Sequence, residues 1–347
     1  MPRIPGIPTT LLIAPDSFKG TLTAREVAEA VAAGVQDAGG ETDVCPVADG
    51  GEGTVEALAP QLGAELRTAT VNDPLRRPVE ASFGLASTSA GARRSGILAL
   101  VEVAAASGLG RVAEHERDAL AADTFGTGEL ILQAVSAGAE TVYVAVGGSA
   151  TTDGGAGAIE AIKRGGGLGR ARLVVLCDVR TPFEDAARVF APQKGADPDQ
   201  VRRLTQRLHA RARRYRRDPR GVPMTGAAGG LSGGLWAELG AEVVPGAAVV
   251  LDAVDFDRRM RSARAVITGE GKLDQQSLAG KAVSEVATRA RQAGVPCFAV
   301  AGRRDLDTFG TRILDLQVVL EAGTLPALRR AGTELAQLVE TATNPLK

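Results

Sequence analysis

The stretch Thr141–Ala158 reads Thr-Val-Tyr-Val-Ala-Val-Gly-Gly-Ser-Ala-Thr-Thr-Asp-Gly-Gly-Ala-Gly-Ala. It begins as a strand, because Val142, Val144 and Val146 fall on one face. A small polar loop follows over residues 147–155, and the residues after it read as helix. Glycines let a ligand approach the main chain, and N–H groups at the start of a helix point toward bound negative charge. The stretch fits an anion-binding loop, and it fits an ordinary strand-to-helix turn equally well.

The same order of strand, polar loop and helix occurs twice near the start of the chain. The apolar run Thr10–Pro15 breaks into Asp16–Gly20, and a helix follows from about Thr23, where Thr23 and Glu26 have the spacing of a capping box. A second strand, Asp43–Val47, leads into Asp49–Thr54 and another helix. Both loops stand at the carboxyl end of a predicted strand.

The C-terminal part repeats this alternation of strands and helices, whereas residues 71–109 predict antiparallel hairpins with a loop at Ser87–Ser95. Alternating elements predict a mostly parallel sheet. The C-terminal elements are strand Ala265–Thr268, loop Gly269–Ser277, a helix near Lys281–Ala293, strands Cys297–Ala301 and Gln317–Leu320, and a final helix.

These patterns predict an α/β protein of two domains. One is a discontinuous, Rossmann-like domain with a mostly parallel sheet, and the other is a smaller mixed α/β domain rich in hairpins. We assign residues 1–68, 118–165 and 262–347 to the first domain and residues 69–117 and 166–261 to the second. The active-site cleft is expected between them.

Composition limits the classes of function. The chain has 347 residues, 44% of them hydrophobic, and a net charge of -1. This length suggests about two domains, and the charge gives no general attraction to nucleic acid or acidic membranes. Prolines near the N-terminus do not suit a signal peptide, and no apolar run is long enough to span a bilayer, so a cytoplasmic protein is expected. Cys45, Cys177 and Cys297 are predicted to be buried apolar residues.

The strongest argument for a nucleic-acid partner is a predicted helix rich in arginine, but this argument is weak. Residues 201–220 carry nine arginines, while Val201, Leu204 and Leu208 recur at helical spacing. Interleaved aromatic residues and a known binding motif are both missing. We therefore interpret this segment as a helix with one solvated face.

Five polar loops or residues follow predicted strands: 16–20, 49–54, 147–155, Asp178 and 269–277. Ligands of open α/β sheets bind beyond the carboxyl ends of the strands, so these loops can line one cleft. Carboxylates beside glycines and hydroxyls suit Mg²⁺ with a polyphosphate, and Lys19 and Lys281 can neutralise phosphoryl charge. Neither G-x-x-x-x-G-K-[ST] nor G-x-G-x-x-G occurs. Each acidic residue could equally be a turn former or a helix cap.

The chain resembles the type 1 glycerate kinase family in the content and order of its motifs, from about Leu11 to Gly302. The motifs are Ala14-Pro-Asp-Ser-Phe-Lys-Gly20, Ala48-Asp-Gly-Gly-Glu-Gly-Thr54, Phe125-Gly-Thr-Gly-Glu-Leu130, Val146-Gly-Gly-Ser-Ala-Thr-Thr-Asp-Gly-Gly155, Cys177-Asp-Val179, Pro192-Gln-Lys-Gly195, Gly226-Ala-Ala-Gly-Gly230 and Gly269-Glu-Gly-Lys-Leu-Asp-Gln-Gln-Ser277.

This resemblance implies ATP-dependent phosphorylation of glycerate by a two-domain α/β enzyme, with 2-phosphoglycerate as the commoner product and 3-phosphoglycerate as the other. The implied ligands are ATP, Mg²⁺ and glycerate, with neither a nucleic acid nor a membrane as partner, and the protein is expected to be a monomer or a homodimer. Two alternatives stay open. The acceptor could be another small hydroxy acid, or the chain could be a catalytically degenerate, kinase-like nucleotide-binding protein.

Residue roles are assigned on type and position within these motifs. The predicted catalytic residues are Asp178, Asp16 and Lys19. The predicted phosphate- and nucleotide-binding residues are Gly147, Gly148, Ser149, Thr151, Asp153, Gly154, Gly155, Gly269, Gly271 and Lys281. The predicted substrate-binding residues are Ser17, Lys19, Asp49, Gly50, Gly51, Glu52, Gly53, Thr54 and Arg77. Asp274 and Glu270 are predicted to bind Mg²⁺. The Gly147–Gly155 loop has no basic side chain of its own, so it is expected to act through backbone N–H groups and hydroxyls.

The sequence departs from the family pattern mainly in the second predicted domain. The segment between Gly157 and Leu173 is short, and residues 177–192 are compressed and lack a Gly-Pro-x-Gly-Ala element. Glu116-Arg-Asp118 stands where Arg-Asn-Pro is usual. Arg76 replaces a glycine, although Arg77 is kept.

Overall fold

The chain divides into two compact units, which are described separately. Unit 1 contains residues 1–49 and 247–347, and unit 2 contains residues 50–246. The structure is a computed structural model that describes residues 9–88, 96–279 and 281–342. The N- and C-terminal parts of the chain thus share one unit, as predicted.

The described residues contain eleven strands. They are β1 (Thr10–Pro15), β2 (Glu41–Val44), β3 (Glu65–Asn72), β4 (Pro78–Thr88), β5 (Gly96–Glu102), β6 (Thr141–Ala145), β7 (Arg172–Cys177), β8 (Glu242–Pro245), β9 (Ala265–Leu273), β10 (Cys297–Arg304) and β11 (Leu316–Glu321).

The described residues also contain thirteen α-helices. They are α1 (Ala24–Asp37), α2 (Thr54–Leu58), α3 (Val103–Ser107), α4 (Phe125–Ser136), α5 (Ala156–Arg164), α6 (Ala186–Phe190), α7 (Pro198–Ala212), α8 (Ala227–Leu239), α9 (Gly246–Ala253), α10 (Phe256–Arg261), α11 (Ala282–Ala293), α12 (Thr308–Ile313) and α13 (Leu325–Ala342).

Unit 1 is built on a five-stranded sheet with the order β11-β10-β9-β1-β2, and every pairing in it is parallel. Helices α1 and α13 pack together on this sheet through the apolar cluster that contains Val31 and Leu335. Two glycines allow their close approach. A Cβ atom on Gly34 would lie 1.8 Å from the carbonyl oxygen of Arg329, and one on Gly332 would lie 2.2 Å from that of Val31.

Unit 2 is built on a six-stranded sheet with the order β3-β4-β5-β6-β7-β8. Strands β3, β4 and β5 form the predicted antiparallel hairpins, and the pairings from β5 to β8 are parallel. Helices α4 and α5 contact each other, and they contribute Leu130, Ile131, Ile159 and Ile162 to the core of the unit.

The observed units differ from the predicted domain boundaries. Residues 50–68 and 118–165 were assigned to the Rossmann-like domain, whereas the structure places both segments in unit 2. The reason is strand pairing: β6 lies between β5 and β7, so the 147–155 loop belongs to the second sheet. Residues 247–261, predicted for the second domain, belong to unit 1. The predicted cleft between the domains stays a prediction.

Local structure departs from the sequence interpretation at the segment 269–277. Residues Gly269–Leu273 were predicted to be loop, but they continue β9, because β10 extends beside them and pairs Val300 with Gly269 and Arg304 with Leu273. Of the loop predicted at Ser87–Ser95, Ser87 and Thr88 belong to β4, and residues 89–95 lie outside the described part of the chain.

Several other predictions are confirmed. Thr23 caps α1 through a complete capping box with Glu26. The three cysteines are buried. Helix α7 buries Leu204 and Leu208, while Arg202 and Arg203 are exposed and Arg207 and Arg211 are half-buried. Among the described helices, none is long and apolar enough to cross a membrane.

Candidate active site

The carboxyl ends of β1, β9 and β10 border a pocket of about 350 Å³ in unit 1. We call it the unit 1 pocket. It brings together five of the residues predicted as catalytic, phosphate-binding or metal-binding, namely Asp16, Lys19, Glu270, Gly271 and Lys281, and it adds Lys272 and Arg303. The lining residues are Asp16, Ser17, Phe18, Lys19, Thr21, Glu270, Gly271, Lys272, Lys281, Gly302, Arg303 and Gly323.

Asp16 follows β1 directly and is 4% exposed. Its backbone N–H donates to the carbonyl oxygen of Gly269 at 2.8 Å, and the N–H of Ser17 donates to its Oδ1 at 2.6 Å. Burial and the nearby charge of Asp49 raise the pKa of Asp16 well above its ordinary value, although Lys19 opposes this shift. A carboxylate with a raised pKa is a better proton acceptor than an ordinary aspartate.

Lys19 forms an ion pair with Asp49, with 3.0 Å between Nζ and Oδ2. The Asp49 side chain is 2% exposed, whereas that of Lys19 is 53% exposed. The ammonium group of Lys19 is therefore held by the buried Asp49 carboxylate, while about half of the lysine side chain is exposed to solvent. It can contact an anionic ligand without leaving the Asp16 region.

Glu270 lies on β9 inside the pocket and is buried. Its Oε2 is 3.5 Å from Nζ of Lys281, at the start of α11. Its buried Oε1 has no hydrogen-bond partner among the described residues. Burial raises the pKa of Glu270, although Ser277 and Lys281 oppose the shift. A buried carboxylate oxygen without a partner fits a position for a cation.

Asp274, the other predicted metal ligand, is already engaged by the protein. Lys272 lies 3.1 Å from its Oδ2, and the N–H of Gln276 donates to its Oδ1 at 2.9 Å. Burial acts to raise its pKa, but these contacts hold the pKa of Asp274 below the ordinary value. Within the described residues there is no group of three or more His, Cys, Asp or Glu side chains placed to hold a metal ion. The predicted pair of metal ligands stays a prediction.

Two of the predicted loops lie side by side in unit 2. The N–H of Val146 donates to the carbonyl oxygen of Gly50 at 3.0 Å. A Cβ atom on Gly147 would lie 2.6 Å from the backbone nitrogen of Glu52, so the two main chains approach as closely as glycine allows. Thr54, predicted to bind substrate, donates its hydroxyl to the carbonyl oxygen of Gly51 at 2.7 Å.

The second half of the Gly147–Gly155 loop has a structural role, and phosphate binding by Asp153, Gly154 and Gly155 stays a prediction. Asp153 is 5% exposed, and its carboxylate accepts from the N–H groups of Gly155 and Gly157 and from the N–H and hydroxyl of Thr124. The N–H of Gly154 donates to the carbonyl oxygen of Gly229 at 3.0 Å. The anion at the start of α5 is thus the protein's own carboxylate.

Lys194 is a residue of this loop region that the sequence interpretation missed. Its Nζ donates to Oγ of Ser149 at 3.0 Å and to the carbonyl oxygen of Thr151 at 2.5 Å. The loop has no basic side chain of its own, but a lysine distant in sequence reaches it. The motif Pro192-Gln-Lys-Gly195 was the available signal, although it gave no contact. The assignment of Gly147, Gly148, Ser149 and Thr151 to phosphate stays a prediction.

Glu102 is a second residue that was missed. It ends β5, and its Oε1 accepts from the N–H of Val55 at 2.7 Å, at the start of α2. The carboxylate thus supports the predicted substrate loop at 50–54. Burial, together with the charge of Glu52, raises the pKa of Glu102 from 4.5 to about 7, although the hydrogen bond from Val55 opposes the shift.

This raised pKa predicts an effect on stability. In the wild type, Glu102 makes the free energy of unfolding fall as pH rises from about 4.5 to about 7, because the folded protein binds this proton more tightly than the unfolded chain does. Glu102→Gln should remove a pH-dependent contribution on the order of 2–3 kcal/mol. Urea unfolding of both proteins across this range measures the difference. Glu56 lies on the exposed face of α2, and Glu56→Gln should keep most of the fall in the free energy of unfolding with rising pH. Parallel curves for wild type and Glu102→Gln would contradict the assignment.

Three other predicted residues have the following surroundings within their own units. Asp178 follows β7 and is half-buried in unit 2. Arg77 donates from Nε to Oδ2 of Asp73 at 2.6 Å and from a terminal nitrogen to Oε1 of Glu116 at 3.0 Å. Gly269 lies within β9, where a Cβ atom would be 2.5 Å from the carbonyl oxygen of Val300.

Comparison with known proteins assigns the chain to a family. The model of the glycerate kinase family matches residues 11–165 and 165–344. The chain belongs to the glycerate kinase family. The glycerate kinase of Halalkalibacterium halodurans is 38% identical over 330 residues, which cover 84% of this chain and 85% of that protein. The glycerate 2-kinase of Escherichia coli K12 is 38% identical over 330 residues, with 84% of each chain covered.

A solved structure agrees with this assignment. The crystal structure assigned as glycerate kinase 2 of Salmonella typhimurium LT2 has 33% sequence identity and a TM-score of 0.80, covering 97% of this chain and 100% of that one. As a member of the glycerate kinase family, the protein is an enzyme of the kinase class. The two-unit α/β architecture described above is thus the architecture of a kinase.

One departure from the glycerate kinase pattern has a physical explanation. Arg76 has a φ of 64°, in the left-handed region that favours the glycine expected there. The side chain compensates through contacts within unit 2. Its Nε donates to Oδ2 of Asp123 at 2.7 Å, and its guanidinium carbon lies 3.9 Å from the centre of the Phe125 ring. The replacement is accommodated locally and leaves Arg77 paired with Asp73.

Proposed function

We propose that this protein transfers the γ-phosphoryl group of ATP to a hydroxyl of D-glycerate and releases 2-phosphoglycerate and ADP. The observation that carries the proposal is the unit 1 pocket, where buried Asp16 has a raised pKa beside the half-exposed Lys19. Phosphoryl transfer to a hydroxyl is served by a proton acceptor next to a cation that can contact the phosphoryl group.

In the proposed reaction, the carboxylate of Asp16 accepts the proton of the glycerate hydroxyl as its oxygen bonds to the γ-phosphorus. The bond between that phosphorus and the oxygen bridging to the β-phosphate breaks, and ADP leaves with the electron pair. Catalysis depends mainly on positioning and on stabilising negative charge. Asp178, in unit 2, is the alternative proton acceptor.

Positive side chains of the pocket would stabilise the phosphoryl charge. Lys19 pairs with Asp49, and Lys281 pairs with Glu270, so each lysine is held by a carboxylate. Because both lysines line the unit 1 pocket, their charges are presented at the same strand ends. Residues 50–54 and Arg77 are proposed to bind the glycerate carboxylate and hydroxyls.

The residues present fit a magnesium ion. Glu270 supplies a buried carboxylate oxygen without a partner, and repulsion from neighbouring carboxylates helps to raise the pKa of Asp16, although burial is the larger cause. Hard oxygen ligands of this kind suit Mg²⁺. Glu270 would hold the ion, with Asp274 as the second proposed ligand. When bound, Mg²⁺ would neutralise phosphate charge.

The test is a coupled assay with purified protein, ATP, Mg²⁺ and D-glycerate. Enolase without phosphoglycerate mutase reports 2-phosphoglycerate directly, because enolase acts on that isomer. Turnover without mutase is the expected result. Turnover only after mutase is added would identify 3-phosphoglycerate as the product and overturn the proposed position of phosphorylation.

The same assay separates the rival functions when ADP release is measured independently. ADP release with L-glycerate, glycolate or D-lactate, but not with D-glycerate, would favour a kinase for another hydroxy acid. ATP binding by calorimetry without acceptor-dependent ADP release would favour a degenerate nucleotide-binding protein. Either result would reject the proposal.

A further inference from the structure

Lys194 is a buried cation whose described acceptors are both uncharged. It is 3% exposed and lies in the short turn Pro192–Lys194 that follows α6. Its Nζ donates to Oγ of Ser149 and to the carbonyl oxygen of Thr151. An ammonium group has three N–H donors, so these contacts use two of them. Burying a cation without a paired carboxylate costs free energy. We therefore expect the buried position of Lys194 to serve a function.

The charge of Lys194 is poised to change near neutral pH. Burial lowers the pKa of Lys194 to about 7, while the charge of Asp153 opposes the shift. Asp153 faces it from the segment before α5. Next to Lys194 in sequence, a Cβ atom on Gly195 would lie 3.4 Å from Cβ of Arg117, so the arginine packs against this turn. A further negative charge near the ammonium would favour its protonated form.

The Gly147–Gly155 loop, which Lys194 contacts, is held by hydrogen bonds at its C-terminal end. In its middle, two buried hydroxyl groups lack hydrogen-bond partners among the described residues. Asp153 holds the helix end, and the hydroxyl of Tyr215 donates to the carbonyl oxygen of Gly154 at 2.8 Å. These two hydroxyl groups belong to Thr151 and Thr152. Buried polar groups are usually satisfied, so these hydroxyls point to a bound form in which an acceptor is present.

We propose that Lys194 is a positioning residue of the kinase reaction: it fixes Ser149 and Thr151 of the Gly147–Gly155 loop and supplies the positive charge that the loop offers to the phosphates of the nucleotide. This inference rests on the proposed function, because it assumes that the phosphates bind at this loop. The positive charge at the Gly147–Gly155 loop thus comes from Lys194, which is distant from that loop in sequence.

The direct test measures the protonation of Lys194 in the whole protein. The chain has six lysines, so selective labelling with lysine carrying 13C at Cε gives few signals, and the signal missing in Lys194→Met identifies the residue. We expect a midpoint near pH 7 in the free protein. With Mg²⁺ and the non-hydrolysable analogue AMP-PNP, the midpoint should rise by about one unit or more.

An unchanged midpoint in the presence of saturating AMP-PNP would overturn the inference, with saturation established by calorimetry. A lysine that only supports the fold has no reason to respond to the nucleotide. The titration does not depend on turnover. A protein that binds AMP-PNP and shifts the midpoint, but does not phosphorylate glycerate, would contradict the proposed function and leave the Lys194 assignment standing.

Variants give a second readout. Lys194→Met keeps an unbranched side chain but removes the charge, and it should lower kcat/KM for ATP by about a hundredfold with a melting temperature near that of the wild type. Lys194→Arg should recover part of the loss. Lys163→Met is the matched control, because Lys163 is half-exposed in the same unit and pairs with Glu238. Equal activity of Lys194→Met and Lys163→Met would contradict the proposal.

Discussion

Replacement of Asp16 by asparagine is expected to lower kcat for glycerate phosphorylation by roughly 10²–10⁴-fold, the usual contribution of a general base. The amide keeps the shape of the side chain but cannot accept the proton. Since Asp16 is buried and held by the N–H of Ser17, the fold should change little. Initial rates from ADP release, with substrate concentrations varied, give kcat and KM separately, and KM for ATP should change far less than kcat.

Asp37→Asn is the control for this substitution. Asp37 also lies in unit 1, but it forms an exposed ion pair with Arg329 on the α1 and α13 side. Its removal should leave kcat within about twofold, because exposed pairs contribute little. Asp178→Asn tests the alternative base. Near-wild-type kcat in Asp16→Asn, with a large loss in Asp178→Asn, would transfer the role to Asp178.

The pH dependence provides an independent check on Asp16. Only the ionised carboxylate accepts a proton, so kcat/KM should rise with pH through the raised pKa of Asp16. Burial is the main cause of that raised pKa, and the charge of Asp49 is the next. Asp49→Asn removes this charge and should move the acid limb of the profile to lower pH. A shift to higher pH would contradict the electrostatic interpretation.

Replacement of Asp153 by alanine is expected to lower the free energy of unfolding by about 3–5 kcal/mol. Four donors converge on this buried carboxylate: two from Thr124 and one each from Gly155 and Gly157. Alanine would leave all four without their acceptor in a region that water does not reach. Equilibrium urea unfolding measures the loss, and Asp153→Asn should show a smaller one.

Asp197 provides the matched control for Asp153. It is the exposed N-cap of α7 in the same unit, and its side chain accepts from the N–H of Gln200 at 2.8 Å. Asp197→Ala should cost about 1 kcal/mol, since water can satisfy the helix end. If Asp153→Ala costs no more than Asp197→Ala, then the carboxylate is not the main support of the loop.

Local signals made the first strand and helix predictable. The bounds of β1 agree with the predicted Thr10–Pro15, and Thr23 caps α1 as its spacing with Glu26 indicated. Both features depend on residues close in sequence. The same holds for the position of Asp16, because a polar residue that directly follows a buried strand lies at the carboxyl end of that strand wherever the strand is placed in the sheet.

Long-range pairing was not predictable in the same way. Strand β6 has the pattern of a buried parallel strand, which is equally compatible with either sheet, and only its pairing with β5 and β7 assigns it to unit 2. The extension of β9 had the same cause. Glycines and charges at Gly269–Leu273 indicated a loop, but the length of β10 decided the outcome.

The site was predictable by residue type, and less so by contact. Asp16, Lys19, Glu270 and Lys281 do meet at one pocket. For each acidic residue in these loops, the sequence left open a role as a helix cap. Asp153 accepts hydrogen bonds from N–H groups at the start of α5. Lys194 could not be connected with Ser149 from sequence, because the contact depends on how the turn after α6 folds back in unit 2.

The discontinuity of unit 1 has a consequence for synthesis. Helix α1 leaves the ribosome early, yet the partner that covers its Val31 and Gly34 surface is α13, the last described helix. The whole of unit 2 is translated between them and can fold first, as contiguous domains generally do. Until α13 emerges, the nascent chain therefore carries an uncovered apolar helix face, which is a binding surface for chaperones.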